Sequence, residues 1–288
     1  GFPTSILTGY QSLPEKLARI AKKNGVQIEL ETKLIHIDQK ENEEYQLVFQ
    51  MRNGHTKTVY ARNIISTMTP PALLNLWDSS PHLQILASRD NLDQFWSNPL
   101  TKLFFAYRSP WWRELGLHDG SSTTTLPLRS CFYFGTESEA YEGEKDNNNA
   151  LLLASYQGAF PLFWKTSAEK TGLTHEENDY RPDDEAIWFG QYFLKKLHGI
   201  DEIPAPYAAA FFNWNRPPHF GGYFFWKVGV KPEEWYDVHC RLGDKSKIYI
   251  VGSDYSTKQG WVEGALETCD KLLFRYFQIN TDDKMILE

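Results

Sequence analysis

Residues Lys247 to Phe277 read K-I-Y-I-V-G-S-D-Y-S-T-K-Q-G-W-V-E-G-A-L-E-T-C-D-K-L-L-F-R-Y-F. Ile248 to Val251 is a short apolar run closed by Gly252, the pattern of a buried strand. From Trp261 the period changes: Val262, Ala265, Leu266, Cys269, Leu272, Leu273 and Tyr276 recur at steps of three and four, the stripe of an amphipathic helix. The joining loop S-D-Y-S-T-K-Q-G puts an acid just past the strand and a glycine where the helix opens. A strand feeding a helix start presents unpaired backbone N–H groups and the positive end of a dipole. Gly260 and Gly264 remove side chains where a flat ligand could approach the backbone. On physics alone the segment is a strand–turn–helix able to hold an anion or a polar ring edge. An ordinary strand–helix corner fits those features equally well.

Outward from this corner, the N-terminal part offers a helix opened by Ser12-Leu13-Pro14-Glu15 as a capping box and closed at Asn24-Gly25. Two alternating strands follow, V-Q-I-E-L from Val26 and K-L-I-H-I-D from Lys33. Y-Q-L-V-F-Q and T-V-Y form a hairpin with Asn53-Gly54 at its tip, and Asn63 to Thr67 is a further short strand. One or two helices fill Ala72 to Leu100. The apolar strand Leu103 to Tyr107 begins beside Lys102, and S-C-F-Y-F and A-L-L-L-A-S-Y are strands. A helix starts at Asp183 or Asp184 with acids and closes with bases, as the helix dipole favours.

Composition narrows the function. The chain has 288 residues, 41% apolar and 23% charged, which suits one large or two ordinary soluble domains. A net charge of −7 argues against non-specific binding to nucleic acid or to an anionic membrane. No apolar run reaches the length of a membrane-spanning helix, and no signal peptide is visible. Three cysteines without C-x-x-C spacing predict reduced, mostly buried thiols, and eight histidines without metal-ligand spacing predict no metal site. Aromatic residues make up 15% of the chain, with ten tryptophans, which suits a core and a pocket walled by flat side chains.

The segment G-S-D-x5-G-W-V-E-G-A-L resembles the C-terminal flavin-contacting segment of the flavin-dependent amine oxidases, a family of monoamine, polyamine and L-amino-acid oxidases. Asp254 stands where that family more often has Glu. Lys102, eight residues before Pro110 and followed there by Trp111 and Trp112, reproduces the spacing of the family's active-site lysine. Asn213-Trp214, six residues, and Gly221-Gly222 resemble the segment before the second wall of the substrate cage. Gly9-Tyr10 stands where the family has Gly-Gly.

The resemblance implies a mixed α/β and α+β chain: an FAD-dependent, amine-oxidase-like two-domain fold. Parts of the FAD-binding domain would lie at 1–71 and 237–288, flanking a mixed-sheet substrate domain at 72–236. It implies FAD contacts from Leu34, Gly252, Asp254, Gly260, Trp261, Val262 and Gly264, and a substrate held between Trp261 and Phe224. Tyr223 occupies the place of the cysteine that ties flavin covalently in monoamine oxidases, so a non-covalent FAD is expected. Lys102 would hold a water against the flavin and move protons, a use that partial desolvation of a lysine serves.

The implied reaction is oxidation of an amine or L-amino acid by hydride transfer to flavin N5. The products are an imine, then a carbonyl compound and ammonia, with O2 leaving as hydrogen peroxide. No G-x-G-x-x-G occurs, so the diphosphate-binding unit is expected on a separate N-terminal chain, this one being a subunit or fragment. A soluble, cytoplasmic protein is the expected setting. Two other readings stay open: a related desaturase or protoporphyrinogen-oxidase type of enzyme, which usually lacks the lysine, and a non-catalytic flavoprotein-like binding module. None of Arg108, Arg129 and Arg216 can be assigned to a substrate carboxylate.

Overall fold

The computed structural model describes residues 10–140, 143–158, 163–164, 180–216 and 220–280. Gly9 of the Gly9-Tyr10 turn and the outer ends of the expected segments 1–71 and 237–288 lie outside them. The described α-helices and strands in chain order, short 3-10 and π turns aside, are α1 (Ser12–Lys23), β1 (Thr32–Gln39), β2 (Tyr45–Met51), β3 (Thr56–Ala61) and β4 (Ile64–Ser66). Next come α2 (Pro70–Asp78), α3 (Pro81–Leu86), α4 (Arg89–Leu92), β5 (Phe95–Asn98), β6 (Thr101–Tyr107), β7 (Ser121–Thr123), β8 (Ser130–Thr136) and β9 (Ala150–Gln157). The rest are α5 (Asp184–His198), β10 (Ala208–Asn213), β11 (Tyr223–Trp226), α6 (Pro232–His239), β12 (Ile248–Ile250) and α7 (Val262–Leu272).

The chain forms two compact units, Gly1–Glu29 with Pro99–Trp214 and Leu30–Asn98 with Asn215–Glu288. The first is built on a five-stranded antiparallel sheet ordered β10-β6-β9-β8-β7. Strand β6 shows why: Leu103, Phe105 and Tyr107 are fully buried on one face, while Lys102, Phe104 and Ala106 point to the other. Helix α5 covers the buried face through Ala186 and Leu194. Gly190 lets it come close, because a Cβ there would meet the Phe105 ring at 2.5 Å. Acids open α5, bases close it and Gly199 ends it at φ 65°, as the sequence predicts. Trp111 and Trp112, the aromatic partners of the Lys102 spacing, go into this core.

The second unit carries the three-stranded antiparallel sheet β1-β2-β3, the antiparallel pair β5-β11 and the parallel pair β4-β12. The Asn53-Gly54 hairpin forms as expected, with Gly54 at φ 82° and the His55 N–H donating to Asn53 Oδ1. Its core gathers Ile37, Tyr45, Leu73, Leu76, Leu83, Phe95, Trp235, Ile250 and Tyr255. The unit boundaries differ from the expected domain limits after 71 and 236. Helices α2 and α3 bury Leu73, Leu76 and Leu83 in the same core as Ile37, and β11 pairs with β5, so 72–98 and 215–236 pack with this unit.

Three local expectations fail. The helical reading of Ala72 to Leu100 holds only as far as Leu92; Phe95–Asn98 is strand β5, because its backbone pairs with β11. Val26 to Leu30 is not a strand: among the described residues no strand pairs with it, and Leu30 is 80% exposed. Alternation without a ladder partner leaves the backbone as coil. Ser12 does not head a capping box; it already lies inside α1, whose cap position is Gln11, and the Gln11 side-chain amide donates to Glu15 Oε1. All three cysteines are unpaired thiols, Cys131 and Cys240 being buried.

Candidate functional site

The strand–turn–helix quoted first forms as read. Strand β12 runs parallel to β4, with Ile248 opposite Ile64 and Ile250 opposite Ser66, and all three of its residues are buried. Gly252 turns the chain out at φ 146°. Its N–H donates to Thr268 Oγ1 at 3.0 Å, which ties the strand end to the middle of α7. The Tyr236 hydroxyl reaches both Thr268 O and Ile250 O, at 2.9 and 3.1 Å, and locks the same junction.

The loop between strand and helix is fixed by side chains, not by its own ladder. Tyr255, 1% exposed, donates its hydroxyl to Met68 O at 2.7 Å. Trp226 donates its indole N–H to Ser256 O at 2.9 Å and its backbone N–H to Gln259 Oε1 at 3.0 Å. Gln259 in turn donates to Asp254 O at 2.6 Å. Gly260 then turns at φ 80° with open space where a side chain would project. Gly264 behaves differently. A Cβ there would collide with the Lys258 carbonyl and Ser256 Oγ, so this glycine lets the loop pack against the helix and leaves no cradle for a ligand.

Trp261 holds the cap position of α7 in extended geometry, and no side chain caps the helix. In the first turn the Gly264 N–H donates to Trp261 O at 3.1 Å, and among the described residues the N–H groups of Val262 and Glu263 have no acceptor. Beside them Trp261 is 71% and Val262 66% exposed, so flat apolar surface and backbone donors lie together. The Asp254 carboxyl is pushed up to about 6 by burial, against a weaker opposing effect of the Ser253 hydroxyl.

The other residues expected of the second unit are placed as follows. Phe224 is only 3% exposed, its ring lying where a Gly221 Cβ would be. Among the described residues no ring contact joins it to Trp261. Tyr223 is half-buried, its ring edge-on to Phe225 at 5.4 Å. Leu34 sits half-buried on β1 beside a register irregularity, and the Ile35 carbonyl next to it accepts from Ser79 Oγ at 2.7 Å.

Lys102 belongs to the first unit. It lies on the face of β6 turned away from the buried core, opposite Tyr156 on β9 and Phe212 on β10. Its ammonium sits 5.3 Å from the Tyr156 ring centre and 6.0 Å from that of Trp214. Among the described residues no carboxylate pairs with it, and burial pushes its pKa below the usual lysine value. Tyr156 was not singled out from sequence, because cross-strand neighbours depend on register; the position of Tyr156 within A-L-L-L-A-S-Y was the only available signal. Arg108 lies over the Tyr207 ring at 4.5 Å, and Arg129 donates to Thr124 O.

A family model for flavin-containing amine oxidoreductases matches residues 2–269. Aplysianin-A of Aplysia kurodai is 26% identical over 307 aligned positions, covering 96% of this chain and 53% of that protein. L-amino-acid oxidase 4 of Hebeloma cylindrosporum is 23% identical over 81% of this chain and 37% of its own length. L-amino-acid oxidase of Mus musculus is 26% identical over 74% of this chain and 30% of its own. The chain thus spans about half or less of the length of these relatives.

Proposed function

The chain belongs to the flavin-containing amine oxidoreductases, and from that premise we propose that it is part of an FAD-dependent oxidase acting on an amine or L-amino acid. The observation that carries this reading is the open start of α7: the N–H groups of Val262 and Glu263 without a side-chain cap, an unobstructed Gly260 and the exposed Trp261 and Val262. These fit the edge of a flavin ring, where N–H groups at a helix start favour negative charge. Gly252 and Asp254 shape the approach to that start, and Leu34 would offer backbone groups to the adenine. Gly264 supports the site indirectly, by holding the loop against the helix. No residue is assigned to the diphosphate, which a further polypeptide segment bearing the phosphate-binding motif would hold.

When bound, the flavin supplies a hydride acceptor for the carbon–hydrogen bond beside the substrate nitrogen. Trp261 would present a flat apolar face to the substrate and exclude water from it. Phe224 would support the opposite wall from within the core, through its place on β11 beside Tyr223. Tyr223 has no thiol, so the flavin would be held without a covalent bond. Lys102 would hold a water through its Nζ and pass a proton at that atom, which its burial helps. The products would be a carbonyl compound, ammonia and hydrogen peroxide.

Anaerobic mixing of the flavin-loaded protein with a panel of L-amino acids and amines tests the reading. At least one should bleach the flavin in wild type. Bleaching that proceeds at the wild-type rate in Lys102→Met would count against the oxidase role and favour the desaturase-like alternative.

A further inference from the structure

Among the described residues the ammonium of Lys102 meets rings and no carboxylate. Tyr156 is its direct cross-strand partner on β9, and Trp214 follows the end of β10, the strand on the other side of β6. The two ring centres lie 5.3 and 6.0 Å from Nζ, inside the range in which an aromatic face attracts a cation. Both residues are held in place, Tyr156 through its ring and Trp214 through its backbone. The Tyr156 ring packs edge-on against Phe132 at 5.8 Å, and the Trp214 backbone N–H donates to Leu100 O at 3.0 Å. Phe212, the cross-strand partner on β10, packs edge-on against Phe104 and stacks on Tyr180, which closes the same face with hydrocarbon.

We propose that Tyr156 and Trp214 form an aromatic clamp that fixes the Lys102 Nζ and sets the pH at which it gives up its proton. Both are positioning residues that act through Lys102. Two opposing effects meet at this amine. Burial disfavours the charged form, while the faces of two π systems favour it. Among the described residues the groups beside Lys102 are Tyr156 on β9, its register partner Phe212 on β10 and Trp214 just after β10, and Tyr156 is the titratable one among them. The clamp therefore opposes the lowering that burial imposes on the lysine, so that the amine can both hold and release a proton. That use of the poise rests on the oxidase reading; the poise itself does not.

Competitive acetylation of lysines across a pH series, read by mass spectrometry of the Lys102 peptide, measures the protonation midpoint of this amine directly. It needs neither flavin nor substrate, and the other lysines of the same digest serve as internal standards. Tyr156→Phe keeps an electron-rich face and should leave the midpoint where wild type has it. A pentafluorinated phenylalanine at the same position keeps the shape but reverses the ring's charge distribution. It should lower the midpoint by about 0.5–1 pH unit relative to Tyr156→Phe. Trp214→Phe should lower it less, because phenylalanine attracts a cation more weakly than tryptophan. Equal midpoints for the phenylalanine and its fluorinated counterpart, or an unmoved midpoint in Trp214→Phe, would overturn the clamp. A shifted midpoint in a preparation that binds no flavin would keep the clamp and sink the oxidase reading, whereas flavin bleaching with an unshifted midpoint would sink the clamp alone.

Discussion

The surroundings of Lys102 and the start of α7 are opposite kinds of surface. Lys102 is enclosed by side chains of its own sheet, its charge faced by Tyr156 and Trp214 and its pKa lowered by burial. The start of α7 is rigid below and open above: Gln259, Trp226 and Tyr255 pin the loop, yet Trp261 and Val262 face solvent. On the proposed function the difference would separate two tasks of a redox site. Tuning a proton carrier calls for a desolvated environment, which the surroundings of Lys102 would provide. Receiving a large flat ligand calls for a fixed edge with free surface, which the α7 corner would provide.

If this division is right, substitutions in the two regions should fail in different ways. Lys102→Met should slow flavin reduction by roughly 100-fold or more, the usual scale for losing a positioned acid–base group. It should not cost stability. The native lysine has a lowered pKa, so its contribution to stability is present only above the unfolded value of 10.5 and is lost as pH falls through the folded one. At neutral pH methionine removes that burden, and the variant should melt at or above the wild-type temperature.

Asp254→Asn probes the other region by pH. The carboxyl stands at about 6 instead of 3.8, a difference worth about 3 kcal/mol. Because the native value is raised, this contribution is complete below pH 3.8 and disappears as pH rises through about 6. The asparagine variant should therefore gain on wild type in urea melts as pH climbs through that window, and lose its advantage below it. A pH-independent difference between the two would place Asp254 in a solvated setting and blur the contrast between a fixed loop floor and an open top.

Smaller effects sharpen the packing side. Gly190→Ala should cost about 1–3 kcal/mol in chemical denaturation, since its Cβ meets the Phe105 ring, and Gly264→Ala a similar amount through the Lys258 carbonyl. Trp261→Ala is the mildest for the fold. With the ring 71% exposed, stability should stay within about 0.5 kcal/mol of wild type while flavin retention falls. A large loss of stability there would mean that the tryptophan belongs to the core.

How much of this the sequence carried depends on the range of the interactions involved. The strand–turn–helix at Ile248 to Leu272, the Asn53-Gly54 hairpin and the acid-to-base helix α5 follow from period and capping, which are local. The packing role of Gly264 is not legible locally, because its neighbour, the Lys258 carbonyl, is brought in by a loop whose path is set by Trp226 on another strand. Phe224 reads as a wall residue by its place after Gly221-Gly222, yet strand alternation turns it inward, where it is 3% exposed, and leaves Phe225 at 53%. Tyr156 escaped notice because only the register of β6 with β9 brings it to Lys102. Val26 to Leu30 alternates like a strand, but alternation cannot supply a partner.

The most direct test of the account is the visible absorbance of the gently purified protein, together with any polypeptide that accompanies it, before and after denaturation and filtration. The account predicts a flavin spectrum in the native wild-type sample, flavin in the filtrate after denaturation, and a weaker native spectrum for Trp261→Ala. A colourless folded preparation that gains no flavin spectrum when FAD is added, or colour that stays on the denatured chain, would contradict it.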